Sequence, residues 1–236
     1  MQKGVAKAGS TSARGTSVRA VSHNLNGQRL GRKGRDTRAR ILAVTAELLA
    51  GAADEPLTLS AVARGASLGM TSLYAYFSDL TELLLAVLDP VMETAEDGYV
   101  GLLRNRWPEA QLGARAFELV RAYHAFWVRH SRLLHLRNSM SDRGDARMML
   151  HRVKAAQVVM RLLAEQMDAD PAQPTSPPFA MASALMTGLE RVMTVTTDSN
   201  LQTLLSTPIP PRTDLLVAEA RLLELGIRDY RGLAKG

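Results

Sequence analysis

The sequence contains no cysteine. A disulfide framework, an iron–sulfur cluster, a zinc knuckle and a cysteine nucleophile are thereby excluded, and a reducing cytoplasm is the expected setting. Aromatic residues make up only 5% of the 236 residues, and β-branched runs are short, which argues against a sheet-built protein. No apolar run approaches the length of a membrane span, and the basic N-terminus lacks the apolar stretch of a secretory signal. No membrane partner is expected. A Gly-rich phosphate loop following a strand is missing, as is a serine in a nucleophile motif, and the acids Glu118 and Glu190 stand isolated. The reading is therefore not an enzyme, with no cofactor implied.

What is present is a chain that is 46% hydrophobic, enough for the core of one or two helical domains. Its net charge of +6 is unevenly placed. From Met1 to Arg40 ten Lys/Arg face a single acid, Asp36, so that stretch carries +9 and the remainder −3. A basic arm on a mildly acidic body points to a polyanion met by the N-terminus, or to a solvated tail with no partner.

Hydrophobic spacing predicts an all-α protein. Residues 1–34, rich in Gly, Ser, Arg and Lys, read as a disordered arm. Order is expected from Asp36 as N-cap, with Ile41, Leu42, Thr45, Leu48 and Leu49 at helical spacing and a stop at Gly51. Two short helices are predicted within 57–77. Asp79 and Glu82 then form a capping pair that opens a longer helix through Leu83, Leu84, Val87 and Leu88, which Pro90 should kink or interrupt. Further helices are expected over 109–131, 133–140, 145–167, 179–197 and 214–225, with Pro-rich loops at 170–178 and 207–211.

The segment 57–77 carries the functional argument. Thr58 can cap a first short helix whose inner face is Leu59, Val62 and Ala63, and small Ala63 lets a second helix cross closely. Leu68 can plug the turn, while Leu73 and Phe77, four apart, face inward. Outward on the second helix stand Met70, Thr71, Ser72, Tyr74 and Tyr76. Short hydroxyls at a helix N-terminus let the backbone approach base edges and hold phosphates, as a recognition helix requires.

Thr58, Val62-Ala63, Ala66, Leu68, Leu73-Tyr74, Phe77 and Leu83-Leu84 together resemble the N-terminal domain of the TetR family of transcription regulators. The resemblance covers 38–88. It implies a helix-turn-helix DNA-binding domain (35–79), a helical effector-binding and dimerisation domain (80–236), and a homodimer that acts as a repressor on palindromic operator DNA. The DNA contacts it implies are Thr58, Ser60, Met70, Thr71, Ser72, Tyr74 and Tyr76, with Arg32, Lys33 and Arg35 of the arm. Three positions depart from the family pattern. The turn glycine is Ser67, so either Ser67 turns left-handed or Gly65 absorbs the bend. The serine that caps the recognition helix is Gly69, and the phosphate-holding lysine of the fourth helix is Leu80.

For a small-molecule effector of unknown identity the candidates are Trp107, Phe117, Tyr123, Phe126, Trp127, Met148, His151 and Met186. By residue type alone these read as plain core, and the resemblance is the main reason to expect a pocket. Four histidines fall in the same region, but spacings of six and five between His124, His130 and His135 do not repeat one helix face. No metal is expected. Met181, Leu185, Leu189 and Val192 form one stripe and Phe179, Ala182 and Met186 another; Leu215, Leu222 and Leu225 lie beside Leu216, Ala220 and Leu223. Helices apolar on two stripes need two packing partners, one of which would be a second subunit. The rival readings are a helical carrier or enzyme, and a DNA-binding protein without an effector.

Overall fold

A computed structural model describes residues 29–51, 56–170, 173, 175–198 and 211–233. Every element in them is helical: α1 (Arg32–Ala50), α2 (Leu59–Gly65), α3 (Met70–Tyr74), α4 (Leu80–Glu93), α5 (Ala95–Gly98), two 3₁₀ turns (Val100–Leu103 and Glu109–Gln111), α6 (Leu112–Asp142), α7 (Ala146–Gln166), α8 (Pro177–Thr197) and α9 (Arg212–Leu233). The all-α expectation holds. None of these helices is long and apolar enough to cross a membrane.

Two apolar clusters organise the chain. The smaller joins α1 to α4 through Ile41, Val62, Ala63, Ala66, Leu73, Phe77 and Leu83. The larger gathers α4 to α9 around Leu84, Leu88, Tyr99, Trp107, Leu119, Trp127, Leu163, Leu189 and Leu223. Helix α4 serves both, because adjacent residues on a helix point about 100° apart: Leu83 enters one cluster and Leu84 the other. Leu80 packs half-buried against both.

Several boundaries depart from the expected ones. Helix α1 starts at Arg32 with Gly31 as N-cap, not at Asp36. Its extra turn is held by buried Leu30, whose carbonyl accepts from Arg35 Nη1 at 2.8 Å, so Asp36 falls inside the helix. Residues 1–28 of the expected arm, and 207–210 of the second Pro-rich loop, lie outside the described residues. Pro90 does not interrupt α4, which continues to Glu93; Pro90 sits on the solvent side, where water can replace the donor it lacks. The two helices expected over 109–140 are one, α6, broken only locally at His130 (φ −120°, ψ 20°). Helix α8 begins at Pro177, since proline at the first helical positions forfeits no hydrogen bond.

Helix α9 runs eight residues past the expected end. Its last turn is secured by buried Arg231, which donates to the Gln166 carbonyl (2.6 Å) and the Trp107 carbonyl (2.9 Å). Gln166 in turn accepts from the Trp107 amide and donates to the carbonyls of Leu103 and Asn105. This lock satisfies a segment of irregular backbone that would otherwise be buried without partners.

Candidate functional site

Two short helices occupy 57–77 as expected, but α3 stops at Tyr74, short of Tyr76 and Phe77, and Met70 and Tyr76, expected outward, are half-buried. Thr58 Oγ1 accepts from the Ala61 amide at 3.1 Å and caps α2. The helix ends in a left-handed residue, Ser67 (φ 53°). The Leu68 amide donates to the Ala63 carbonyl and the Ser67 amide to the Arg64 carbonyl, the paired bonds of a Schellman cap. Of the two ways round the turn, the chain takes left-handed Ser67. Gly65 serves the packing instead. A Cβ there would lie 2.6 Å from Val44 Cγ1, so its absence lets α2 lie close on α1.

Beyond the turn, Gly69 precedes α3 with no side-chain cap, and its extended backbone leaves the first amides of α3 open. Thr58, Ser60, Thr71, Ser72 and Tyr74 are exposed, Tyr74 to 49%. Met70 and Tyr76 are half-buried against the smaller cluster, and Met70 Sδ accepts a long contact from Ser60 Oγ at 4.0 Å. Arg32, Lys33 and Arg35 lie exposed in the first turn of α1. Exposed Arg64, in the last turn of α2, adds a cation beside the same turn. The sequence pattern does not single it out, because its exposure depends on where α2 stops. Arg38 stacks 5.1 Å from the Phe77 ring centroid and is partly withdrawn from water, so it belongs to the packing.

This unit is tied to the rest of the chain by polar bonds at one end of α4. Asp79 Oδ1 accepts from the Glu82 amide (2.8 Å) and caps α4, while Oδ2 accepts from Arg147 (2.9 Å) at the start of α7. Burial pushes the Asp79 carboxyl up, but the amide and the Arg147 guanidinium outweigh it and hold it below the ordinary range. Glu82 completes the cap from the other side by accepting from the Ser78 amide at 2.7 Å. Thr81 Oγ1 donates to Asp145 Oδ2 at 2.5 Å, and Asp145 also caps α7 through the amides of Arg147 and Met148. A third tie runs from α6: Arg132 Nη1 donates to the Leu48 carbonyl at 2.6 Å, closing the end of α1.

In the larger cluster Tyr123, Phe126, Trp127 and Met186 come together, joined by Tyr99, which the sequence pattern had not marked. The rings contact edge-on, with Tyr99 4.6 Å from Tyr123 and 5.1 Å from Phe126. The polar side of the same space is Arg137, Arg152 and Glu190. Glu190, expected to stand isolated, is instead the centre of a buried ionic cluster. It accepts from Arg137 (3.1 Å), Asn138 (3.2 Å) and both Nε and Nη2 of Arg152 (3.2 and 2.9 Å). The donors sit on α6 and α7, 38 to 53 residues from Glu190 on α8, which is why no local pattern announced them. Glu118, by contrast, makes an exposed pair with Arg115 one turn away. Burial, reinforced by Glu190, pushes the Tyr123 hydroxyl up to about 12, so it stays a neutral donor. The open space among these residues is about 10 Å³, enough for one water.

The other four effector candidates lie elsewhere. Trp107 is buried in the Arg231–Gln166 lock, donating from Nε1 to the Leu102 carbonyl. Phe117 is 37% exposed in a groove between α6 and α9. Met148 is buried at the start of α7. His151 places Nε2 3.8 Å from Asp89 Oδ1, while its buried Nδ1 has no hydrogen-bond partner among the described residues. Among the described residues no group of three His, Asp or Glu is placed to hold a metal.

The stripes of the last two helices separate. On α8 Leu185 and Leu189 of one stripe and Ala182 and Met186 of the other are buried within the chain, while Phe179, Met181 and Val192 are half-buried. On α9, Leu216, Ala220 and Leu223 are buried, whereas Leu222 (55%), Leu225 (44%) and Val217 (54%) face outward. Before Arg191 the exposed residues of α8 are Pro177, Ala180, Ser183, Ala184 and Thr187. No family model matches the chain, and no curated protein matches it significantly.

Proposed function

We propose that this chain is a ligand-responsive, DNA-binding transcription regulator of the TetR type, working as a homodimer and releasing a palindromic operator when a small molecule binds. The observation that carries this reading is the α2–α3 unit. A capped helix, a tight left-handed turn and a second short helix carry Thr71, Ser72 and Tyr74 outward at the uncapped end. Open amides and hydroxyls at a helix N-terminus are phosphate and base-edge donors, and nothing in the packing requires them there. In this reading α2 and α3 form the helix-turn-helix, with Thr58, Ser60 and Arg64 on the flanking backbone and Arg32, Lys33 and Arg35 on neighbouring phosphates. The outward Leu222, Leu225 and Val217, beside the small residues of α8, form the dimer face. Dimerisation sets two recognition helices about 34–36 Å apart, one turn of DNA.

The effector enters among Tyr99, Tyr123, Phe126, Trp127 and Met186. Its leverage comes from α7, which holds Glu190 through Arg152 and also holds the start of α4 through Arg147 and Asp145. A shift of α7 therefore moves the helix under α3. Release by the effector implies the reciprocal effect, so operator DNA weakens effector binding by the same factor. The nearly closed core favours one second reading, a DNA-binding protein that needs no effector. Selection of duplexes from random-sequence DNA by the purified protein tests the proposal. A palindrome with half-sites one turn apart supports it, and recovery of no preferred sequence contradicts it.

A further inference from the structure

Where α1, α4 and α6 meet, a cavity of about 430 Å³ opens beside the break at His130. That volume falls in the range of small-molecule sites. Its body is apolar and comes from three helices: Ala46 and Leu49 of α1, Val87 and Val91 of α4, Val128 and Leu133 of α6. Its polar side chains all belong to the broken stretch of α6. Arg132 is committed to the Leu48 carbonyl. Arg129 is different: it is exposed, lines the cavity, and has no hydrogen-bond or ion-pair partner among the described residues. No acidic side chain is among the described lining residues. Burial and the neighbouring Arg129 lower the His130 imidazole, leaving it a neutral polar group beside that cation.

We infer that this cavity binds an amphipathic carboxylate, with the hydrocarbon body between α1, α4 and α6 and the carboxylate on Arg129. An apolar groove with one guanidinium at its rim, unpartnered among the described residues, selects such a ligand twice. The hydrocarbon leaves water, and the carboxylate gains a charge-assisted bond that a neutral head group cannot match. The site is separate from the aromatic–arginine core and does not rest on the DNA-binding reading. It touches both apolar clusters' helices at once, so an occupant there acts as a wedge between them.

Isothermal titration calorimetry of the full chain with octanoate, and with 1-octanol as the neutral control, tests the assignment. Octanoate is expected to bind at least about tenfold more tightly than octanol, the scale of one charged hydrogen bond. Arg129→Glu should remove that preference and leave octanol unchanged. Ala46→Trp, at an exposed wall position, should obstruct the groove and weaken binding of both. Thermal melts of the two variants confirm that each is folded. Absence of octanoate binding to the wild-type chain would overturn the inference. So would octanoate binding that survives both substitutions, which would place the ligand elsewhere in the chain.

Discussion

The two apolar clusters use polar chemistry in opposite directions. The smaller one buries seven apolar side chains, from Ile41 to Leu83, and its hydroxyl-rich residues stand outside on α2 and α3. The larger one encloses its polar groups: Arg137 is 4% exposed, Glu190's side chain 13%, and Arg231 2%. On the proposed reading, the open donors of the smaller unit meet a DNA backbone, and the internal ionic ties of the larger unit hold its helices in register.

Removing one member of the inner cluster should have the largest effect on stability. Glu190→Ala leaves Arg137 buried without its carboxylate, and equilibrium urea unfolding should show a loss of about 3–5 kcal/mol. The smaller cluster should break differently. Leu73→Ala removes a fully buried side chain and should cost about 2–4 kcal/mol, with hydrogen exchange rising across α1–α3 while α6–α9 remain protected. Equal loss of protection in both regions would show that the two clusters unfold as one.

Acid should loosen the ties between the clusters. The Asp145 carboxyl is held below its usual range by Thr81 and by the α7 amides, and Asp79 by the balance described above. A carboxyl depressed in the folded state contributes stability above its unfolded value, near 3.8, and that contribution is lost as pH falls through the folded value. Urea midpoints of the wild type should therefore fall below pH 4, and those of Asp145→Asn should fall less steeply. The smallest expected effect is at the turn. Ser67→Gly relieves a left-handed serine and should raise stability by about 0.5 kcal/mol, set against the extra freedom of the unfolded glycine.

Much of the fold was legible because its signals are local. Thr58 and Ala61, Asp79 and Glu82, or Leu73 and Phe77 are three or four residues apart, and one helical turn brings each pair together. Even the break at His130 left a trace, since the expected gap between two helices falls within two residues of it. The extension of α9 was not legible. Arg231 looks like any surface arginine until α7 and the turn after Leu103 supply carbonyls from more than 60 residues away. The same holds for Glu190. Two stripes on α8 were expected to serve two subunits, but Leu185 and Leu189 are covered within the chain. Leu222 on α9, not Leu185, is the position at which to test association.

The central claim is that the outward face of α3 binds DNA, and fluorescence anisotropy on a selected palindromic duplex tests it most directly. The triple substitution Thr71→Ala, Ser72→Ala, Tyr74→Phe removes three exposed hydroxyls and leaves Leu73 in place. At about 1 kcal/mol for each lost hydrogen bond, three per subunit on both recognition helices of the dimer, affinity should fall by roughly four orders of magnitude with the melting temperature unchanged. Wild-type affinity in this variant, at the same salt concentration, would contradict the account.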